Sequence, residues 1–413
     1  MTGTEVFLLA MALVLGAPYL LWRLGRTESI APLVVIQILS GVALGPGVLG
    51  AWQPEVFALM FGPRVIQSID GMAIWAVTLF VWIAGLELDL RQVWHAKQEN
   101  FTAAALLLIV PLAFGSLAAA GLLQWSGWKG DAAEDWQFVL GIGMSCAVTA
   151  LPILMLFMQK LGILRTPLGQ RVLRYSSLDD IAIWAVLALI LMEWNRLGLQ
   201  LLFLLAFALA SFFMRRLIVR VPEGDRWYLA LIWLPLCAFG ADASGLHFMV
   251  GAFLAGVVLD AAWFNEARVD AVRENILLIL MPVFFLSTGL RTHWQSDSLA
   301  VIVVAVVLLL AAISGKLIGA RMAGRLLGWQ PSEASVIGWL LQSKALIMII
   351  FANVLADRQL ISSNTFASLL FMAVGSTMLT MPCVSAILRG RRAAAQSICL
   401  LYTSPSPRDV EES

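Results

Sequence analysis

The sequence predicts an all-α, polytopic membrane protein with about 13 transmembrane helices. Three observations predict this class: a very apolar composition, apolar stretches of bilayer-spanning length, and connecting loops whose basic residues alternate along the chain. Of 413 residues, 61% are hydrophobic and 13% are charged, with a mean hydropathy of +0.88. Soluble domains carry about 25% charged residues. The net charge of +1 gives no polybasic character, so nucleic acid is not an expected partner.

The apolar stretches divide the chain into thirteen predicted spans. The first 22 residues lack the basic region of a signal peptide and are predicted to form the first span. The approximate limits of the spans are 4–22, 31–49, 69–90, 101–123, 137–159, 175–194, 199–217, 227–242, 245–260, 274–291, 299–320, 333–354 and 364–387.

The predicted membrane domain covers residues 1–395, and the remaining segment, 396–413, has a different character. Its Pro and Ser spacing is unlike anything before it. It is therefore predicted to be a disordered or non-native tail.

The loop charges predict the orientation of the chain. The connections after the odd-numbered spans, with the segment after span 13, hold 19 of the 27 Lys and Arg residues, and the opposite connections hold five. Basic residues collect on the cytoplasmic side of membrane proteins. The N-terminus is thus predicted outside and the C-terminus in the cytoplasm.

Thirteen spans can be written as six, one linking helix, and six. A single linking helix inverts the second set relative to the first, so the sequence predicts two inverted six-helix repeats. Span 5 then corresponds to span 12, span 4 to span 11, and span 6 to span 13. Inverted repeats with interrupted helices at their interface are a common plan of transporters.

Two adjacent carboxylates, Asp179 and Asp180, interrupt predicted span 6. A carboxylate near the bilayer centre costs about 2.5–3.5 kcal/mol on insertion scales, and two side by side repel each other. Adjacent helical residues point about 100° apart, so one can face a cavity while the other faces the bundle. Asp180, with Ser176 four residues earlier on the same face, is predicted to bind a cation or a proton. The alternative is that both carboxylates lie in solvent at the end of the span.

Predicted span 5 contains a proline and a hydroxyl at mid-depth. Pro152 removes one backbone donor and frees the carbonyl of Val148, and Thr149 adds a hydroxyl oxygen. Such oxygens are ligands for a dehydrated cation, and they are tolerated at this depth only beside protein or a cavity. A purely structural kink is the alternative interpretation.

Two lysines accompany these features in spans 11 and 12. Gln342, Ser343 and Lys344 interrupt span 12, where Lys344 is predicted to hold a positive charge near the crossing and to offset helix C-terminal dipoles. Lys316 of span 11 is predicted to form an ion pair with Asp179. Each lysine is alternatively an anchor whose ammonium group reaches an interface.

Other intramembrane polar residues are weaker candidates. Glu87 and Asp89 end span 3 and are expected to be solvated at the inner interface. His247 is expected to be a helix-end histidine. Close helix packing, not ligand binding, is predicted for four glycines: Gly41, Gly45, Gly251 and Gly256.

Several stretches resemble the monovalent cation:proton antiporter family of bacterial Kef-type and plant-type cation/proton exchangers. Together they cover roughly residues 5–390 in a consistent order. They are ILSGVALGPGVLG (38–50), WIAGLELDL (82–90), AVTALPIL (147–154), LGILRTPLG (161–169), SSLDDIAIW (176–184), GLHFMVGAFLAGVVL (245–259), FFLSTGLRT (284–292) and SKALIMIIFANVLADRQLIS (343–362).

The resemblance implies a core domain of spans 4–6 and 11–13 (101–194 and 299–387), in which spans 5 and 12 are unwound and cross. It implies a dimerisation domain from spans 1–3 and 7–10 (4–90 and 199–291), a homodimer in a bacterial inner membrane, and elevator-like alternation between inward and outward cavities.

By motif match, the family's ion-binding aspartate falls on Asp180 and its neighbour on Asp179. The hydroxyl of the unwound stretch falls on Thr149 and the basic residue of span 11 on Lys316. Many Kef-type members have Gln-Asp in place of Asp-Asp. Span 12 commonly has Gly where this chain has Ala345, which weakens the expectation of a broken helix there.

The sequence thus predicts a secondary active antiporter that exchanges Na⁺ or K⁺ for H⁺, with Asp180 as the ligand of the transported cation. No cofactor is expected, and no enzyme activity, because no nucleophile–base pair or metal cluster appears. Two alternatives stay open: a sodium-coupled symporter of an organic anion, and a cation channel. Cation choice depends on cavity size and ligand number, so the sequence does not distinguish Na⁺ from K⁺.

Overall fold

The fold is a bundle of α-helices in the computed structural model, which describes residues 3–25, 32–87, 97–192, 196–290 and 298–403. Over these ranges the only strand-like pairing is one isolated antiparallel bridge between Lys129 and Ile361. The predicted all-α class is confirmed.

Eighteen α-helices follow one another along the described ranges, with a 3₁₀ turn at Ala261–Trp263 and a π-helical turn at Ile276–Leu280. The α-helices are α1 (Gly3–Leu24), α2 (Leu33–Leu44), α3 (Leu49–Trp52), α4 (Pro54–Met60), α5 (Pro63–Leu86), α6 (Lys97–Leu122), α7 (Asp135–Ala147), α8 (Leu151–Lys160), α9 (Pro167–Ile190), α10 (Leu197–Arg220), α11 (Glu223–Ala243), α12 (Phe248–Val257), α13 (Glu266–Asn275), α14 (Met281–Leu290), α15 (Ser298–Leu327), α16 (Pro331–Leu340), α17 (Ala345–Asp357) and α18 (Ser363–Thr403).

Eight stretches of the described chain are helical, long and apolar enough to cross a membrane, and nine if the bent pair α16–α17 counts as one span. In this count α7 and α8 form a single span, 135–160, despite the break between them. This count includes only long, apolar helices, whereas several of the thirteen predicted spans fall on helices that are short, broken or charged. The count of thirteen spans and the inverted repeat therefore stay predictions.

The helices pack in two groups. In one group α6 lies against α7 and α15, α15 also packs on α16 and α18, and α9 contacts α6, α7 and α8. In the other, α5 packs on α12 and α14, α14 packs on α2, and α11 packs on α12. Helix α10 contacts α11 and leaves most of its apolar side chains exposed. Such an apolar exposed face is what a lipid-facing helix presents.

Small residues let helices α2 and α14 approach closely. A Cβ atom on Gly41 would lie 2.7 Å from the carbonyl oxygen of Phe285, and one on Gly45 would lie 2.6 Å from that of Gly289. Real Cβ atoms do not come this close to backbone oxygens. The contact agrees with the packing role predicted for these two glycines.

The last helix runs into the segment predicted to be a tail. The backbone of α18 is helical to Thr403, so residues 396–403 are helical, and the disordered or non-native character of 396–413 stays a prediction. The apolar run ICLLY continues the helix, and the prolines that suggested an irregular end come later. Residues 404–413 and Asp89 lie outside the described residues.

Replacement of Gly41 by Ala is expected to destabilise the bundle, because the added methyl group forces α2 and α14 apart. Overpacking of this kind costs about 1–3 kcal/mol, which will appear as a lower midpoint of thermal unfolding of the purified protein. Gly16→Ala is the matched control, since nothing lies within 4 Å of a Cβ atom there. Equal midpoints for the two variants would contradict the close approach.

Candidate ion-binding site

Two broken helices meet in the middle of the first group. Helix α7 ends at Ala147 and α8 begins at Leu151, with extended backbone at Val148 and Ala150. Helices α16 and α17 are separated by residues 341–344 and differ in direction by 49°. The N–H group of Ala150 donates a hydrogen bond to the carbonyl of Ser343 at 2.5 Å. The two breaks therefore touch.

The first break is completed by a lysine from the second. Pro152 lies in the first turn of α8, where its missing N–H is tolerated. The Lys344 ammonium donates to the carbonyls of Cys146 at 2.6 Å and Val148 at 2.9 Å. These carbonyls form the negative end of the α7 dipole, and the Lys344 ammonium lies against them. The Val148 carbonyl, predicted as a cation ligand, is occupied by this ammonium group.

The second break is capped by a threonine that the sequence analysis did not single out. The N–H groups of Lys344 and Ala345, at the start of α17, donate to the hydroxyl oxygen of Thr377 at 3.2 and 3.1 Å. Because this oxygen satisfies the freed donors, the helix is broken even with Ala345 in place of Gly. The polar run Ser376-Thr377 inside predicted span 13 was the available signal.

Gln342 and Ser343 stabilise the unwound segment. The Gln342 amide donates to the carbonyl of Ala312 at 2.7 Å, and the Ser376 hydroxyl donates to the backbone carbonyl of Gln342 at 2.7 Å. The Ser343 hydroxyl donates to the carbonyl of Leu340 at 3.1 Å. Both side chains are fully buried. Ser343 satisfies a carbonyl at the end of α16, and Gln342 ties the break to α15.

Asp179 lies in a buried ion pair. The Lys316 ammonium is 2.9 Å from Asp179 Oδ2 and donates also to the carbonyl of Leu107 at 3.0 Å. The side chains of the pair are 0% and 1% exposed. The Thr149 hydroxyl lies 2.8 Å from the same Asp179 oxygen and 2.9 Å from the carbonyl of Leu341. A hydroxyl has one hydrogen, so Thr149 donates to one of these acceptors at a time.

Asp180 has a different environment. The residue is buried, and its Oδ1 atom has no hydrogen-bond partner among the described residues. It lines a cavity of about 30 Å³ together with Pro152, Ser177, Glu87 and Arg273. Most buried polar groups are hydrogen-bonded, so an unpartnered carboxylate oxygen needs a water or an ion to satisfy it.

A larger cavity of about 570 Å³ adjoins this one. The two cavities share four lining residues: Glu87, Leu151, Ser177 and Arg273. Asp270, with a half-exposed side chain, lines only the larger cavity. The larger cavity lies on the side that the loop charges predict to be cytoplasmic. Because the two cavities share lining residues, an ion in the larger cavity can approach Asp180 through the smaller one.

The predicted site residues thus fall into separate places. Asp180 and Pro152 share the small cavity, whereas Thr149 contacts Asp179. Ser176, predicted beside Asp180, is fully buried, and its hydroxyl has no hydrogen-bond partner within the described ranges. The serine that lines the cavity is Ser177. A rotation of about 100° per residue is enough to exchange the two serines.

Two charged residues at the cavities have roles that the sequence did not indicate. Glu87, expected in solvent, is 22% exposed and paired with Arg273, whose Nη1 lies 2.7 Å from Glu87 Oε1. The two residues are 186 positions apart, and no local pattern connects them.

His247 accepts a hydrogen bond from the N–H of Met249 and caps α12, in agreement with the helix-end role predicted for it.

The chain is similar to a known protein family and to named proteins over most of its length. The family model described as "Sodium/hydrogen exchanger, transmembrane" matches residues 9–390. Cation/H(+) antiporter 18 of Arabidopsis thaliana is 26% identical over 386 residues, covering 88% of this chain and 46% of that protein. Na(+)/H(+) antiporter NhaS4 of Synechocystis sp. is 24% identical over 372 residues, covering 86% and 90%.

Among solved structures, the sodium proton antiporter MjNhaP1 from Methanocaldococcus jannaschii has a similar fold. Its TM-score is 0.54 at 14% identity, over 98% of this chain and all of that one. The chain spans about half the length of the plant relatives it matches and most of NhaS4.

Replacement of Lys316 by Met is expected to lower the free energy of unfolding by about 3–5 kcal/mol, because it leaves Asp179 charged and unpaired in the bundle. Asp179→Asn combined with Lys316→Met is expected to recover most of that loss. Both effects are measured as shifts in the midpoint of thermal unfolding.

Lys129→Met is the matched control for this loss. Lys129 pairs with Asp135 at 2.6 Å, but the two side chains are 39% and 68% exposed, so the expected cost is under about 1 kcal/mol. Equal destabilisation by the two single variants would contradict the buried character of the Asp179–Lys316 pair.

Proposed function

The chain belongs to the sodium/hydrogen exchanger family, and from this premise we propose that it is a secondary active antiporter. It exchanges a monovalent cation, Na⁺ or K⁺, for H⁺ across the membrane by alternating access. The names of its relatives support cation/proton exchange: they include cation/H(+) and Na(+)/H(+) antiporters of plants and bacteria.

The observation that carries the proposal is the state of Asp180. Its carboxylate is buried, and one oxygen has no hydrogen-bond partner among the described residues. It lines a small cavity that shares four lining residues with a larger one. A cavity of about 30 Å³ has room for about one or two water-sized occupants. A dehydrated monovalent cation or a proton satisfies such a carboxylate, and both cannot occupy it together.

Competition at Asp180 is therefore sufficient to couple the two fluxes. On one side of the membrane the carboxylate releases its proton as the cation binds. On the other side it releases the cation as a proton binds. Asp179 is neutralised by Lys316, which supports a cycle in which one cation is exchanged for one proton.

The two alternatives left open by the sequence are less well supported. A symported organic anion needs a pocket of roughly 300 Å³ or more, whereas the Asp180 cavity is about a tenth of that size. Its carboxylates, Asp180 and Glu87, repel an anion. A channel needs a continuous pore, and an enclosed carboxylate between crossing broken helices suits occlusion better.

The finer architecture is also part of the proposal: thirteen spans in two inverted six-helix repeats, with the N-terminus outside and the C-terminus in the cytoplasm of a bacterial cell. Each predicted span overlaps a described helix or run of helices, which supports the count. The crossing of the α7–α8 and α16–α17 breaks supports the pairing of span 5 with span 12.

The two packing groups support a moving core and a static scaffold. Helices α6–α9 and α15–α18 correspond to the core spans (101–194 and 299–387), and α1–α5 and α10–α14 to the scaffold spans (4–90 and 199–291). The scaffold is proposed to form the interface of a homodimer, so that the core carries Asp180 from one side to the other.

Asp180→Asn is expected to abolish exchange, because an amide neither releases a proton nor offers a negative charge to a cation. The measurement is ΔpH-driven Na⁺ or K⁺ exchange in proteoliposomes that contain the full chain. Asp225→Asn is the matched control, since Asp225 is exposed in the first turn of α11 and lines neither the Asp180 cavity nor the larger one. Undiminished exchange by the Asp180 variant would rule out the assignment.

Exchange is expected to be electroneutral, because only one carboxylate changes its occupant in each cycle. The rate of ΔpH dissipation by external Na⁺ should be the same with the membrane potential clamped at zero and with a potential imposed. A rate that follows the imposed potential would show that further charge moves with the cation. Repeating the assay with K⁺ identifies the preferred cation.

A further inference from the structure

The ion pair of Glu87 and Arg273 occupies the place where the two cavities meet. Glu87 caps the C-terminal end of α5, and Arg273 lies in the last turn of α13. They are the charged residues common to the lining of both cavities. Asp180 lines only the small cavity and Asp270 only the large one. A cation that moves from the large cavity to Asp180 therefore passes this pair.

The pair is asymmetric with respect to the route. Arg273 Nη1 contacts Glu87 Oε1 at 2.7 Å, and Nη2 contacts Asp270 Oδ1 at 2.7 Å. The side chains of Glu87 and Arg273 are 22% and 21% exposed, and that of Asp270 is 52% exposed. The guanidinium thus has one carboxylate on the side of the small cavity and another toward the surface.

The two members of the pair act on a cation in opposite ways. Glu87 offers hard oxygen ligands, which replace part of the hydration shell that a cation loses on entering a narrow cavity. Arg273 carries a positive charge and repels the cation at the same point. While the two are paired, the Glu87 carboxylate is less available to a cation, and the positive charge of Arg273 lies where the two cavities meet.

We propose that Glu87 and Arg273 form a charged gate to the Asp180 cavity, in which Glu87 is the first protein ligand of the incoming cation and Arg273 competes with that cation for Glu87. The proposal rests on the exchange function above and names the residues that set cation affinity. Partly exposed ion pairs are weakly held, so the pair can open in each transport cycle.

A purely structural pair makes a different prediction. If the contact only tied α5 to α13, loss of either partner would break the same contact, and both losses would change transport in the same direction. In a gate the two losses have opposite effects on cation affinity, because one removes an attractive charge and the other a repulsive one. The sign of the two changes therefore separates the two roles.

The test is the apparent KM and Vmax for Na⁺ and for K⁺ in proteoliposomes that contain the full chain. Glu87→Gln is expected to raise the apparent KM by about tenfold, the lower end of electrostatic focusing in clefts, with Vmax within about twofold. Arg273→Gln is expected to lower the apparent KM. Glu87→Asp, which keeps the charge, is expected to restore much of the affinity.

Glu274→Gln is the matched control for these variants. It removes a carboxylate from the same helix, one residue after Arg273, but Glu274 is exposed and lines neither cavity, so its apparent KM is expected to stay within about twofold of the parent. A thermal-unfolding midpoint for each variant, with the charge-keeping Glu87→Asp beside Glu87→Gln, separates a transport effect from loss of folding.

The gate is contradicted if Glu87→Gln and Arg273→Gln shift the apparent KM in the same direction, if neither shifts it, or if only Vmax changes. These outcomes are independent of the exchange function itself. If the parent chain exchanges cations for protons and Asp180→Asn abolishes that exchange, the proposed function stands even when the gate is contradicted. Absence of exchange in the parent chain, or its persistence in Asp180→Asn, overturns the function and the gate with it.

Discussion

The structure depends on how two broken helices satisfy their open backbone groups inside an apolar bundle. Unpaired N–H and C=O groups are not tolerated in a hydrocarbon environment. Here the Lys344 ammonium satisfies the carbonyl end of α7, Thr377 satisfies the amide end of α17, and the chain at Ala150 bonds to the chain at Ser343. Since the breaks are stabilised by these contacts, polar groups can lie in mid-bundle beside Asp179 and Asp180.

The adjacent aspartates perform different tasks because they face different neighbours. Asp179 is held by Lys316 and Thr149 in a fully buried network, which joins α9 to the break between α7 and α8 and to α15. Asp180, one residue later and about 100° around the helix, faces a cavity and has an oxygen with no partner in the described part of the chain. We therefore propose that Asp179 is neutralised and structural, whereas Asp180 binds the exchangeable ion.

Access to Asp180 in this structure comes from the side of Glu87 and Arg273, where the small cavity adjoins the large one. Elsewhere the two helix groups are in contact: the Asn353 amide of α17 donates to the Thr288 hydroxyl of α14 at 3.2 Å. Asn353 also lines a separate cavity of about 380 Å³ with Lys129 and Asp131. In the proposed alternating-access cycle, that contact would open as the route at Glu87 closes.

The sequence by itself determined the all-α class, the membrane-embedded character and the two polar interruptions, because hydropathy and the high cost of burying a charge are properties of local composition. It also singled out Asp179, Asp180, Lys316 and Lys344 as candidate site residues. The tertiary structure decided which groups meet. It places Ser177 instead of Ser176 on the cavity and Thr149 on Asp179. It pairs Glu87 with Arg273 and brings Thr377 to the second break. Those contacts depend on helix rotation and on packing between residues far apart in the chain, and neither is encoded in a local pattern.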